Sequence, residues 1–99
     1  MEDRVNWLTQ EVDDLLRETA VGLYEFLWLL KPEGVVDEEE ALEISTRSLE
    51  RLLSSPGRRL VVLKWPPREI LRTLSFEEVR PSHWRPPEEH GEYVAIVST

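Results

Sequence analysis

The stretch VNWLTQEVDDLLRETAVGLYEFLWLL, residues 5–30, carries the longest regular apolar pattern in the chain. Apolar or half-apolar side chains fall at Val5, Leu8, Val12, Leu15, Thr19, Leu23, Phe26 and Leu30. Steps of three and four residues hold them on one face of a helix. The spacing predicts a single helix over residues 3–31, with a stripe of about seven turns. Pro32 stops it and Glu33-Gly34 turns the chain. Gly22 sits inside this span. It reads as a kink or as a point where another backbone comes close. Trp7, Val21, Tyr24, Trp28 and Leu29 add apolar surface beside the seam, mostly in its second half. Residues 20–30 are therefore expected to be buried on most sides, and residues 3–18 to be half exposed.

Working outward, residues 38–54 read as a second helix. Asp37 is a capping residue, Glu40 stands three positions on, and Val36 and Ala41 occupy hydrophobic-staple positions. Leu42, Leu49, Leu52 and Leu53 make its stripe, and Pro56-Gly57 ends it. Leu60-Val61-Val62-Leu63 is a continuous apolar run with β-branched members. It predicts a strand at 59–65 buried on both faces. Residues 67–75 fit either a short helix begun by a proline or a third strand. Leu71 spoils the alternation, so the helix is favoured. Residues 77–91 hold three prolines and read as a stiff loop pinned to the body by Trp84, and 92–98 reads as a strand pairing with 59–65. The fold class is α+β: two antiparallel helices packed on a small two- or three-stranded sheet, in one domain spanning 1–99. A helix at 67–75 would allow parallel pairing through a right-handed crossover; a strand would give an antiparallel meander.

Composition narrows the function. The chain has 99 residues, no cysteine and a net charge of −8. That excludes a disulfide framework, a thiol nucleophile and a cysteine zinc site. The acidic opening MEDRVNW is unlike a secretory leader, and no apolar run exceeds five residues, far short of a membrane span. A cytoplasmic protein is expected. Ten of the twelve basic residues are arginine, and seven prolines accompany few thermolabile side chains. This usage fits a thermophile, or a GC-rich host. The charge is also polarised: residues 1–44 are strongly acidic, whereas 45–75 carry seven bases against two acids. Opposite faces pairing with each other explains the split, and a basic patch meeting an anion is the sharper reading.

No pattern points to catalysis. His83 and His90, with Glu88, Glu89 and Glu92 near the second, match no zinc spacing. The four glycines are isolated, so no phosphate-cradling loop is present. No enzyme activity, metal or cofactor is expected. Two binding readings remain. The first is a small accessory or regulatory protein acting by protein–protein interaction. It would self-associate, or capture another protein's helix, through the N-terminal helix, with Trp7, Leu8, Val12, Leu15, Tyr24 and Trp28 as contacts. The second is a DNA-binding regulator. If the second helix breaks at Ser45-Thr46, the element order resembles a winged helix-turn-helix. Arg47, Arg51, Arg58 and Arg59 would then face nucleic acid. The unbroken stripe Leu42–Leu49–Leu53 and the acidic balance weigh against it.

Overall fold

Val21 and Gly22 leave the helical path and pair with a strand from the far end of the chain. In the computed structural model, which describes residues 1–64, 69–87 and 91–98, the expected helix over 3–31 is therefore two helices. They are α1 (Glu2–Leu15) and α2 (Leu23–Leu30), with β1 (Val21–Gly22) between them. The periodicity misled because the stripe continues by coincidence across the break. Leu15 and Thr19, inferred to lie on the seam, face solvent, and Leu16 is buried in their place. Gly22 marks a close approach, as one of the two sequence readings had it. A Cβ there would lie 2.4 Å from the Tyr24 ring. The extended Gly22 is the N-cap of α2, and its N–H donates to the Glu25 carboxylate at 2.6 Å.

A Schellman turn closes α2. Gly34 N–H donates to the Lys31 carbonyl at 3.0 Å and Val35 N–H to the Leu30 carbonyl at 3.3 Å. Gly34 takes the left-handed φ of 83° that this turn requires. Leu30 and Val35 are both buried, as the apolar pair of such a turn should be. That contact already sets the chain's path, so the staple expected from Val36 does not form and Val36 is 88% exposed. Asp37 caps the next helix as expected, accepting the Glu40 N–H at 3.0 Å. This helix, α3 (Glu38–Leu53), runs without a break through Ser45-Thr46. The break needed for a helix-turn-helix is absent because Ser45 and Ser48 are fully buried against neighbouring elements. Ser48 Oγ donates to the Val5 carbonyl of α1 at 3.3 Å. Small side chains at these positions bring α1 and α3 close, and Leu8 and Val12 are sealed in the core.

The remaining strands are β2 (Arg58–Lys64), β3 (Glu69–Leu74) and β4 (Glu92–Ser98). Residues 65, 67, 68 and 99 of the expected spans lie outside the described residues. The segment at 69–74 is a strand, not the favoured helix. Its register slips between Val62 and Leu63, so Leu71 is the extra residue of a bulge. The position that spoiled the alternation is thus the bulge itself. All pairings are antiparallel, in the order β1-β4-β2-β3. Among the described residues this is four strands, against the two or three expected, and not a meander, because β4 inserts between β1 and β2. Residues 75–87 follow β3 at the edge of the sheet, whereas β4 lies at its centre. Trp84 holds this segment down, its ring centroid 5.7 Å from that of Phe26.

The central strands β2 and β4 are buried on both faces, as the run at 60–63 implied. Leu60, Val62, Val94 and Ile96 meet the helices in the main core, while Val61, Leu63, Tyr93 and Ala95 form a smaller cluster on the other face. Ser45 Oγ has no hydrogen-bond partner within this packing. Ser45→Ala is expected to stabilise the fold by about 1 kcal/mol, read as a higher urea midpoint at unchanged m-value. Gly22→Ala should cost about 1–3 kcal/mol, because the Tyr24 ring must give way. Loss of near-ultraviolet circular dichroism ahead of global unfolding would locate the damage at that ring.

Candidate functional site

The sequence of α2, LYEFLWLL, is apolar on nearly every side, with Glu25 its single charged residue. A helix of that kind must be covered all round or leave apolar surface in water. Leu23, Phe26 and Leu30 are fully buried, and Leu27 and Leu29 pack partly against the core. Trp28 is left 50% exposed. It stands edge-on to Tyr24, one turn earlier, at 4.8 Å between ring centroids. Tyr24 in turn meets Tyr93 of β4 at 5.8 Å. Each ring is fixed by the next, so Trp28 is held in place although half of it faces water.

Beside this aromatic ladder lies a groove of about 500 Å³. Tyr24, Leu27 and Trp28 form one wall; Val35, Val36 and Ala41 line the turn into α3. Trp84 and Pro86 close the opposite side. The Schellman turn, which leaves Val36 pointing outward, and the Phe26–Trp84 contact, which seats the 81–87 segment, together make the hollow. Lys31 and Glu38 supply its charged groups. Asp37, Glu39 and Glu40 stand exposed beside Glu38 at the start of α3. A groove with rigid aromatic walls, a proline and an acidic rim offers apolar anchoring and a preference for positive charge.

The six expected partner contacts divide. Tyr24 and Trp28 line this groove. Leu8 and Val12 are fully buried in the core and reach no surface, which corrects their assignment as contacts. Their stripe is covered by α3 of the same chain rather than left for a partner. Trp7 packs partly against that core, and Leu15 is exposed at the far end of α1. Residues 20–30 are the more enclosed half and 3–18 the half-exposed one, as expected, but the exposed aromatic surface sits in the enclosed half, at Trp28. Leu27, Lys31, Val35, Val36, Ala41, Trp84 and Pro86 were not singled out. The one signal in the sequence was an eight-residue segment with no polar face.

The four arginines of the nucleic-acid reading do not gather on one face. Arg47 pairs with Glu43 at 3.1 Å and reaches Glu2 at 4.0 Å. Arg51 pairs with Glu2 and Asn6. Arg58 pairs with Asp13 and donates to Ser98 at 3.1 Å. Arg59 follows Arg58 on β2, so alternation puts it on the other face of the sheet. Three of the seven basic side chains of 45–75, Arg47, Arg51 and Arg58, meet acids of 1–44.

A smaller cavity of about 140 Å³ lies under the 81–85 segment, beside His83, Arg72, Arg85 and Glu92. His83 Nδ1 accepts the Arg80 N–H at 2.9 Å, an arrangement that needs the unprotonated nitrogen. Burial, then the charges of Arg72 and Arg80, hold its pKa below the ordinary histidine value. No group of three or more His, Asp or Glu among the described residues is placed to hold a metal. Residues 88–90, which include His90, lie outside the described residues. No helix among the described residues is long and apolar enough to cross a membrane. No family model, curated protein or solved structure matches this chain.

The His83 environment fixes the sign of a pH effect. With its folded pKa depressed, the neutral form is favoured by folding. Its stabilisation is full above the unfolded value near 6.5 and is lost as pH falls below that toward the folded pKa. Denaturant midpoints taken between pH 7.5 and pH 5, the range in which histidine titrates, should fall more steeply for the wild type than for His83→Gln. Equal slopes would remove His83 from the pH response.

Proposed function

We propose that this chain is a non-enzymatic interaction protein, of accessory or regulatory kind, whose partner docks at the groove beside α2. The occupant fitted by its chemistry is a short apolar segment of another protein that carries at least one lysine or arginine. The observation that carries the reading is Trp28, half exposed yet locked by Tyr24 over the groove. An exposed tryptophan costs solubility, and one held rigid contributes binding area at little entropic cost. Asp37, Glu38, Glu39 and Glu40 at the rim favour a basic partner and oppose nucleic acid. The continuous α3 and the acid-paired arginines likewise support a protein partner over DNA. A cytoplasmic setting is part of the same proposal.

The test is selection from a displayed library of random peptides, followed by titration of tryptophan fluorescence with the enriched sequences. Enriched peptides should combine apolar anchors with Lys or Arg, bind in the micromolar range and weaken with salt. Trp28→Ala should reduce their affinity by about tenfold or more, a typical anchor loss, with little change in stability because half of the ring is already in water. Glu38→Lys with Glu39→Lys should weaken binding further and reduce its salt dependence. Peptides that bind Trp28→Ala as tightly as the wild type would place the site elsewhere.

A further inference from the structure

The two edges of the sheet are unlike. At one end β1 is only two residues long and buried. At the other, β3 offers six residues, of which the first five are exposed. Ile70 is 50% and Leu71 41% exposed, although both are large and apolar. An open edge of this length is a template for another strand unless something blocks it.

The bulge decides which strand fits. Residues opposite each other in a ladder share a face. Glu69 lies opposite Lys64 and Arg72 opposite Val62, so both share the face of the main core. Ile70 lies opposite Leu63, on the other face. In a regular strand two residues three apart point to opposite sides; the extra residue Leu71 brings Glu69 and Arg72 to the same one. Neither is in a direct ion pair with another described residue, although the Arg72 charge is felt at Glu78 and His83.

We propose that β3 pairs with the β3 of a second copy, antiparallel about a two-fold axis between Ile70 and Leu71. That register sets Glu69 opposite Arg72 of the second copy, twice by symmetry, on one face. It also sets Ile70 opposite Leu71, again twice. The strand is complementary to itself in charge and in apolar contact, which a two-fold interface requires. The product is one continuous eight-stranded sheet, with the α2 groove of each copy left free. This interface is independent of the groove and of α1.

Sedimentation velocity from low micromolar to near-millimolar protein tests it with a charge-reversal cycle. Wild type should show a concentration-dependent monomer–dimer equilibrium. Arg72→Glu and Glu69→Arg each turn two attractive pairs into two like-charge pairs, and each should weaken dimerisation roughly tenfold to a hundredfold. The double variant Glu69→Arg/Arg72→Glu restores opposite charges across the axis and should recover the dimer. All these side chains are exposed, so folding should survive, and circular dichroism checks that it does. Trp28→Ala should leave the dimer intact. A wild type that stays monomeric would mean that the bulge and the two charges guard the edge, and would overturn the proposal. So would a dimer indifferent to the single reversals, one not recovered by the double variant, or one lost only with Trp28.

Discussion

The two-residue ladder joining Val21 and Gly22 to Ile96 and Ala95 is the constraint on which the architecture turns. It is short, but it fixes three things. It ends the first helix before residue 16, because the chain must become extended to reach β4. It starts α2 at Leu23, with Gly22 as the one residue whose missing side chain leaves room for the Tyr24 ring. And it draws β4 into the middle of the sheet, with β2 on its other side. Continuous helix through this region would forfeit the β1 pairing and carry the apolar surface of α2 away from β4 and Trp84.

The local signals in the sequence were sound, and so was the pairing of 92–98 with 59–65, but the other long-range relations were hidden. The Asp37 cap, the ends of α3, the buried run at 60–63, the final strand and the pinning by Trp84 all follow from short spans of chemistry. The break after α1 was hidden because steps of three and four residues persist across a loop that is not helical. Only Gly22 beside the β-branched Val21 hinted at it. Leu71 was similarly ambiguous: a bulge looks like failed alternation until the partner strand is known. The groove was half legible. Tyr24 and Trp28 stand out in the sequence, but the residues facing them come from two other segments. No single-helix pattern reports such a neighbourhood.

Charge and apolar surface are handled by separate devices. Two of the five acids of α1 pair with arginines of α3 and β2, Glu2 serving Arg47 and Arg51, and Asp13 serving Arg58. These contacts neutralise what looked like a basic patch. The acids at the start of α3 include Asp37, whose carboxylate caps the helix. Glu38, Glu39 and Glu40 also sit at the positive end of the α3 dipole, which makes them tolerable as a group. Their second consequence is the negative rim of the groove. Stability and recognition thus share the same side chains there.

The strand order has a further consequence for how the molecule is made. β4 follows every other element in the chain, yet it lies between β1 and β2. While residues 92–98 are still inside the ribosome, β1 has nothing to pair with, and β2 and β3 form an isolated hairpin, a structure marginal on its own in water. The apolar helix α2 is then without the sheet against which it packs. Native topology is reached only when the last strand inserts, closing contacts between distant parts of the chain at once. High sequence separation of this kind slows folding and prolongs exposure of apolar surface. Through that interval the nascent chain carries the apolar surface of α2 beside an excess of acidic charge, which favours solubility.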